Sequence, residues 1–355
     1  MSLFRKILIF ILKFLRDFLF SRPKLRGLLY DIENKEEFNN LFEQEKMLAD
    51  RLRTETYKNA IQKYIGPDHV VLDLGTGNGI LSFFAARQNA RKVYAIDHSD
   101  FIALTKIVAE HNNFRNIEFV KSHSRDFKPH DKIDVIIHEQ IGDYLFNENL
   151  LENLIDLKTR LLKPKGIILP GKFELFLEPA CLFESARIPF IDNNDMYGID
   201  YSILKDHYGT LEEFKPDTYE QRWLDAASVE FFLCESSPII SFDLNKINSA
   251  KDIPHVLEIS RQVIKSDILD GFCLFFNVIF DEEIYFSTSP LEINTTHWGN
   301  CFFRVKSRKC FAGDVITYNF AMKDLLDIKT WSVSIRDSSK GAATKSDCAN
   351  HSSSN

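Results

Sequence analysis

Residues Val70 to Asp97, VVLDLGTGNGILSFFAARQNARKVYAID, constrain the fold of this chain more than any other stretch. Val70, Val71, Leu72 and Leu74 form a short apolar run of the kind a buried parallel strand needs. Asp73 interrupts that run just before Gly75, Gly77 and Gly79. Alternate glycines let the backbone turn sharply and approach a ligand with no Cβ in the way. Ile80, Leu81, Phe83, Phe84, Ala85 and Ala86 suit a helix packed on a sheet, and Val93-Tyr94-Ala95-Ile96 reads as the next strand. Asp97 follows where a carboxylate can take ribose hydroxyls. A plain strand–helix turn accounts for this poorly, because the glycines lower local stability with no packing gain.

Two ligands compete for such a loop. A dinucleotide fingerprint has glycine at its first, third and sixth positions, whereas the pattern here is D-x-G-x-G-x-G and the sixth position is Ile80. An acid beside the loop repels a pyrophosphate and suits the ammonium of a methionine-like group. The loop therefore resembles the S-adenosylmethionine-binding motif of class I methyltransferases. A nicotinamide-dependent oxidoreductase is the weaker reading, and no hydride-transfer constellation supports it.

The rest of the chain alternates around this stretch. Residues 36–65 are helical in pattern and end at Gly66-Pro67. Ile102 to His111 and Leu150 to Leu162 read as further helices. Ile117 to Val120, Ile133 to Ile137 and Ile167 to Leu169 read as strands, the last entered through a Lys163–Gly166 turn. Alternation of this kind predicts a Rossmann-like, doubly wound parallel sheet over 26–170. Past Pro170 the pattern becomes short alternating or aromatic strands, which predicts a β-barrel domain over 171–337. A polar insertion at about 190–225 is too long for a simple loop and reads as a lid or subunit contact. Residues 338–355 are Ser-, Lys- and Asn-rich and read as a disordered tail.

The N-terminus, residues 1–25, reads as a basic amphipathic helix. Its longest uncharged run, Ile7 to Leu12, is far short of the ~20 apolar residues of a spanning helix. Membrane-surface contact and packing on the protein body fit it equally, and a signal peptide fits less well. With 355 residues, 45% hydrophobic content and 31 Phe, the chain can build a sizeable core. A net charge of −7 argues against direct nucleic-acid binding and suits a basic partner. The six cysteines form no C-x-x-C pair, which points to a reduced, cytoplasmic setting and no structural metal.

A second informative stretch follows the fourth strand: His138-Glu139-Gln140-Ile141-Gly142-Asp143-Tyr144-Leu145-Phe146-Asn147-Glu148. A parallel strand delivers its carboxyl end to the ligand crevice, which puts Glu139 at the site. Gly142 can turn the chain back and return Glu148 beside Glu139. Two adjacent carboxylates repel unless a cation lies between them, and a guanidinium is a planar, permanently charged cation that matches both. By spacing alone Glu148 reads rather as a surface helix N-terminal acid favoured by the macrodipole, and Glu139 fits a surface and a site position alike. His297 alone reads as a satisfied barrel histidine.

Together these stretches resemble the protein arginine methyltransferases. The resemblance rests on the glycine loop, the E-(x8)-E pair, Thr296-His297-Trp298 preceded by FSTSP, and Met47-Leu48-Ala49-Asp50-Arg51-Leu52-Arg53-Thr54, in that family's order over about residues 35–335. It implies that Gly75, Gly77 and Gly79, with Asp73, line the methionine part of S-adenosylmethionine. Asp97 would hold the ribose, and Arg53 would pair with the cofactor carboxylate. It implies a clamp of Glu139 and Glu148 on the acceptor guanidinium, with His297 braced against Asp50. Met47 would line the pocket near the cofactor and the acceptor, and Trp298 would lie on the substrate side. The arm at 190–225 would pack on a second subunit, giving a homodimer that acts on proteins with exposed arginine. Asp143 adds a third acid where the family's loop has an aromatic residue, and Gln44 stands where the family often has histidine. Another amine as acceptor, or a non-catalytic cofactor-binding protein, are the competing readings.

Overall fold

In the computed structural model, residues 30, 34–35, 38–188, 190, 195–207, 220–224 and 226–336 are described. The basic helix expected over 1–25, the tail at 338–355 and much of the arm at 190–225 lie outside them. Among the described residues, no helix is long and apolar enough to cross a membrane. The chain forms two compact units, and the division is not linear. The first takes in 1–174, 241–252 and 276–299, and the second holds the remainder.

The first unit opens with α1 (Leu41–Ala49) and α2 (Arg51–Tyr64). The apolar pattern over 36–65 suggests one continuous helix, but the structure breaks it at Asp50. Asp50 has φ −71° and ψ 90°, ending α1, while its side chain accepts from Arg53 N to cap α2. A carboxylate at an N-cap satisfies an otherwise orphan amide and suits the positive end of the helix dipole. One residue therefore both stops a helix and starts the next.

The sheet comes next, as β1 (Val70–Leu74), α3 (Ile80–Arg87), β2 (Lys92–Asp97), α4 (Ile102–His111), β3 (Ile117–Lys121), β4 (Ile133–His138), α5 (Leu150–Leu161) and β5 (Leu162–Leu169). The strands lie in the order β3-β2-β1-β4-β5, all parallel. The order reverses direction at β1, so the crevice of such a sheet opens at the carboxyl ends of β1 and its neighbours. Val70, Val71 and Leu72 are fully buried, as the apolar run predicts for a strand covered on both faces. Leu150, Leu151, Leu154, Leu157 and Leu161 of α5 are buried, with i, i+3, i+4 and i+7 spacings among them.

The turn expected at Lys163–Gly166 is instead the first half of β5, with a register irregularity against β4. Lys163 Nζ reaches both oxygens of Asp134 at 2.8 Å, and a Cβ on Gly166 would come within 2.9 Å of Asp134 O. Glycine and an ion pair let the strand continue where local signals favoured a turn.

β6 (Lys172–Leu182) leads into the second unit, where β7 (Asp195–Met196), β8 (Ile199–Asp200), β9 (Glu220–Leu224), β10 (Val229–Phe232), β11 (Ile240–Asp243), β12 (Val256–Gln262), β13 (Asp267–Ile279), β14 (Tyr285–Ser287), β15 (Asn300–Cys310), β16 (Val315–Met322) and β17 (Trp331–Ile335) complete the strands, with β11 past Ile240, β14 and the end of β13 returning to the first unit. The strands expected after Pro170 are all present. β10, β6, β13, β15 and β9 follow one another in one sheet, and β12, β16 and β17 form another. An isolated bridge joins Cys234 to Val263. Phe176, Phe232 and Phe275 stack in the core of this unit, with ring planes within 6°. The aromatic runs are thus packing, as the lack of basic interleaving suggests. Cys181, Cys234, Cys273, Cys301 and Cys310 are free, buried thiols.

Candidate active site

The glycine loop adopts the conformation that its composition demands. Gly75, Gly77 and Gly79 have φ of +71°, +49° and +85°, values that cost other L-residues free energy. A Cβ on Gly79 would stand 2.4 Å from Thr105 Cγ2, and one on Gly77 would meet Gln44 Oε1 at 3.0 Å. Glycine here answers two needs at once: backbone handedness and close packing.

Two acids brace the loop from the strands beneath it. Asp73, 1% exposed, accepts from Thr76 Oγ1 at 2.8 Å and Ser82 Oγ at 2.6 Å. Burial pushes its carboxyl up to about 6, with the Ser82 and Thr76 hydrogen bonds working against that rise. Its Oδ1 is buried with no partner. Asp97, at the end of β2, accepts from Gly77 N at 2.9 Å and Ser99 N at 2.7 Å. Each oxygen accepts one bond there and keeps lone-pair capacity for a ribose hydroxyl. Gln44, 2% exposed, closes the loop from above, accepting from Asn78 N and Asn78 Nδ2 at 3.1 and 3.0 Å and donating to Phe38 O at 2.9 Å. Position 44 drew notice in the sequence only as a departure from the family's histidine. Its contacts depend on α1 lying against the loop, which no local pattern reveals.

Arg53 joins the two halves of the site. Its Nη1 lies 2.9 Å from Glu139 Oε2, and its Nη2 donates to Met47 O at 2.7 Å. The sequence reading assigned Arg53 to the cofactor and Glu139 to the acceptor; in the fold they are an ion pair. Arg53 Nε is buried without a partner. A buried guanidinium donor left unsatisfied is costly and fits an incoming carboxylate. Together with the Cβ-free loop, Asp97 and the unspent Asp73 oxygen, it fits the amino-acid and ribose ends of S-adenosylmethionine. At the carboxyl ends of β2 and β3 the rings of His98 and His123 lie 6.0 Å apart, and His98 Nε2 is buried without a partner.

The loop after β4 reverses as Gly142 allows. Leu145 N donates to Gly142 O at 2.9 Å, and the space of the missing Gly142 Cβ is filled by the Asn147 amide. Leu145 and Asn149 hold φ of +79° and +53°, so two non-glycine residues sit in a disfavoured region beside the glutamates. Glu139 is half-buried at the start of the loop, and Glu148 is half-buried on the returning limb. Trp298, 7% exposed, donates from Nε1 to Ile141 O at 3.0 Å and stacks on Phe286 at 5.7 Å. The tryptophan thus anchors the glutamate loop. Tyr57, which reads as a helix-face apolar residue, supports the same loop by donating to His138 O at 2.9 Å.

The expected brace between His297 and Asp50 is present. His297 Nδ1 lies 2.8 Å from Asp50 Oδ2, which also accepts from His297 N at 3.0 Å. Burial raises the Asp50 carboxyl, but the bonds from His297 and Arg53 N outweigh it and hold the carboxyl below its usual range. Asp50 therefore ties the helix junction to a loop 247 positions away in the chain. Every one of these residues lies in the first unit.

Comparison with known proteins identifies the family. Residues 65–203 match a methyltransferase domain, and residues 175–336 match the arginine methyltransferase oligomerization subdomain. Protein arginine N-methyltransferase 1 of Caenorhabditis elegans is 31% identical over 295 residues, 78% of this chain and 80% of the relative. Protein arginine N-methyltransferase 6 of Danio rerio is 32% identical over 264 residues, 72% of this chain and 73% of the relative. Among solved structures, protein arginine methyltransferase 10 of Arabidopsis thaliana superposes with a TM-score of 0.66 at 26% identity, covering 80% of this chain and 88% of that one. The Trypanosoma brucei PRMT1 enzyme–prozyme heterotetramer with AdoHcy does so with a TM-score of 0.67 at 23% identity, covering the same shares. Identity of this order, sustained over most of each relative, reflects common descent, and the chain belongs to the protein arginine N-methyltransferase family.

Proposed function

We propose that this protein transfers methyl groups from S-adenosylmethionine to the guanidinium of arginine in protein substrates. The observation that carries the reading is the Arg53–Glu139 pair at the end of β4. It fixes one acceptor carboxylate against a guanidinium that itself offers a spare donor to the cofactor. Relatives named as protein arginine N-methyltransferases support the same assignment.

S-adenosylmethionine supplies a methyl group already made electrophilic by its sulfonium. The chain therefore has to orient rather than to activate strongly. Arg53 Nη1 occupies Glu139 Oε2, which directs Oε1 to accept from the acceptor guanidinium. Glu148 is the second carboxylate of the clamp. Together they draw positive charge toward the nitrogens they hold and leave lone-pair density on the attacking one. The transfer releases one proton. With Nδ1–H donated to Asp50, His297 Nε2 is the acceptor that can take it. Met47 and Trp298 set the walls of this site, Trp298 through its hold on Ile141.

The oligomerization subdomain match supports an assembly, which we assign as a homodimer formed through the arm at 190–225. Sedimentation of the full chain tests it; a monomer at micromolar concentration overturns the assignment.

The decisive experiment is mass spectrometry of an arginine-rich peptide incubated with S-adenosylmethionine, beside its lysine counterpart. Methylation of the arginine peptide alone is expected, and Glu139→Gln should abolish it. Modification of the lysine peptide alone would move the protein to another acceptor.

A further inference from the structure

We propose that Asp143 is a specificity residue of the acceptor site, selecting protein substrates that carry a second basic side chain close to the target arginine. The inference rests on the arginine reading above and deepens it. Asp143 occupies the corner of the turn from Gly142 to Leu145, between the two glutamates in the chain. That turn is held on several sides. Trp298 Nε1 grips Ile141 O at 3.0 Å, Asn147 Oδ1 accepts from Tyr144 N at 3.3 Å, and the Asn147 amide fills the place of a Gly142 side chain. The corner is therefore a fixed platform rather than a loose tip, and its carboxylate shares a rigid loop with the proposed clamp.

The charges around Asp143 leave it unneutralised. Lys46 and His297 attract it, and Glu43 repels it. Both side chains are already engaged: Lys46 with Glu43 at 3.2 Å, and His297 with Asp50 at 2.8 Å. Among the described residues Asp143 makes no hydrogen bond or ion pair of its own. Asp143 is exposed by surface area, and desolvation by the neighbouring loop raises its carboxyl above the usual range. A carboxylate in that position gains when a further cation arrives. Glu139 and Glu148 are committed to the target guanidinium, so the additional cation is a lysine or arginine flanking the target.

The test uses the full chain and arginine peptides that differ only in one lysine, placed in turn at each position around the target. Neutral and glutamate counterparts complete the set. The wild type should favour at least one lysine peptide over the neutral one in kcat/KM by about two- to five-fold at low salt, the range expected of an exposed ion pair. High salt should erase the preference. Asp143→Glu should keep it, Asp143→Asn should bring the ratio to near one, and Asp143→Lys should turn it toward glutamate. A structural role alone would lower all peptides together and would not invert a ratio. Calorimetric binding of S-adenosylhomocysteine reports whether each variant retains the folded site. A wild-type ratio near one at every position, or a preference that survives Asp143→Asn, overturns the proposal. Failure of the wild type to methylate any of the peptides while it binds S-adenosylhomocysteine overturns the arginine reading, and this inference with it.

Discussion

His138 ties the stability of the first unit to pH. Its side chain is fully buried, with Nε2 donating to Pro170 O at 2.9 Å and Nδ1 unpartnered. Burial lowers its pKa from 6.5 to about 4, against the Pro170 hydrogen bond. The folded state thus keeps a neutral imidazole where the unfolded chain would bind a proton. Stability from this group is fully present above 6.5 and falls as pH drops toward about 4. The loss over that window is on the order of 3 kcal/mol, from roughly 2.5 pKa units at 1.36 kcal/mol each. His138→Gln keeps an amide to donate to Pro170 O and removes the titration. Urea unfolding of wild type and variant at about pH 4.5 and about pH 7 should show a smaller acid loss in the variant, and equal losses would refute the assignment.

At the scale of elements, the loop after β4 depends on a partner distant in the chain. Trp298 fills an aromatic cluster with Phe276 and Phe286 while its Nε1 holds Ile141 O. Trp298→Phe should keep much of the apolar packing and leave a buried carbonyl unsatisfied, at a cost of about 1–3 kcal/mol. Faster amide exchange should follow in residues 140–149, with little change in the β1–β2 core. Exchange unchanged in that loop would separate Trp298 from its support. The helix junction follows the same logic. The apolar spacing over 36–65 reads as one helix, and a single carboxylate that both caps and pairs makes it two. Capping chemistry is local, but the reason for an Asp at position 50 lies in its bond to His297.

At the scale of the whole molecule, adenosylhomocysteine should act first on the unit that carries the site. At a free concentration about a hundredfold above Kd, binding adds ~2.7 kcal/mol. Scanning calorimetry should then show that unit melting about 5–10 °C higher. An unmoved transition would mean that the cofactor site is not where Arg53, Asp97 and the glycine loop place it. The membership of the two units is itself a tertiary result. The 276–299 segment, with the His297-Trp298 pair, belongs with the parallel sheet although the aromatic, alternating strands around it read as one β domain. Strand periodicity reports which face of a segment is buried and carries no information on which neighbour buries it.

The strand–loop–helix–strand unit from Val70 to Asp97 was legible residue by residue, because its determinants are local. Buried strands need apolar runs, positive φ favours glycine, and a ribose acid needs a strand end. The glutamate loop, its reversal at Gly142 and the His297–Asp50 brace were also readable, through the loop's own chemistry and the family resemblance. What tertiary structure alone decided is the pairing: Arg53 with Glu139, Trp298 with Ile141, Gln44 over Asn78, and Asp143 without a hydrogen bond or ion pair of its own among the described residues. Those contacts join segments far apart in the chain, and their energies depend on distances of a few ångströms that only packing sets.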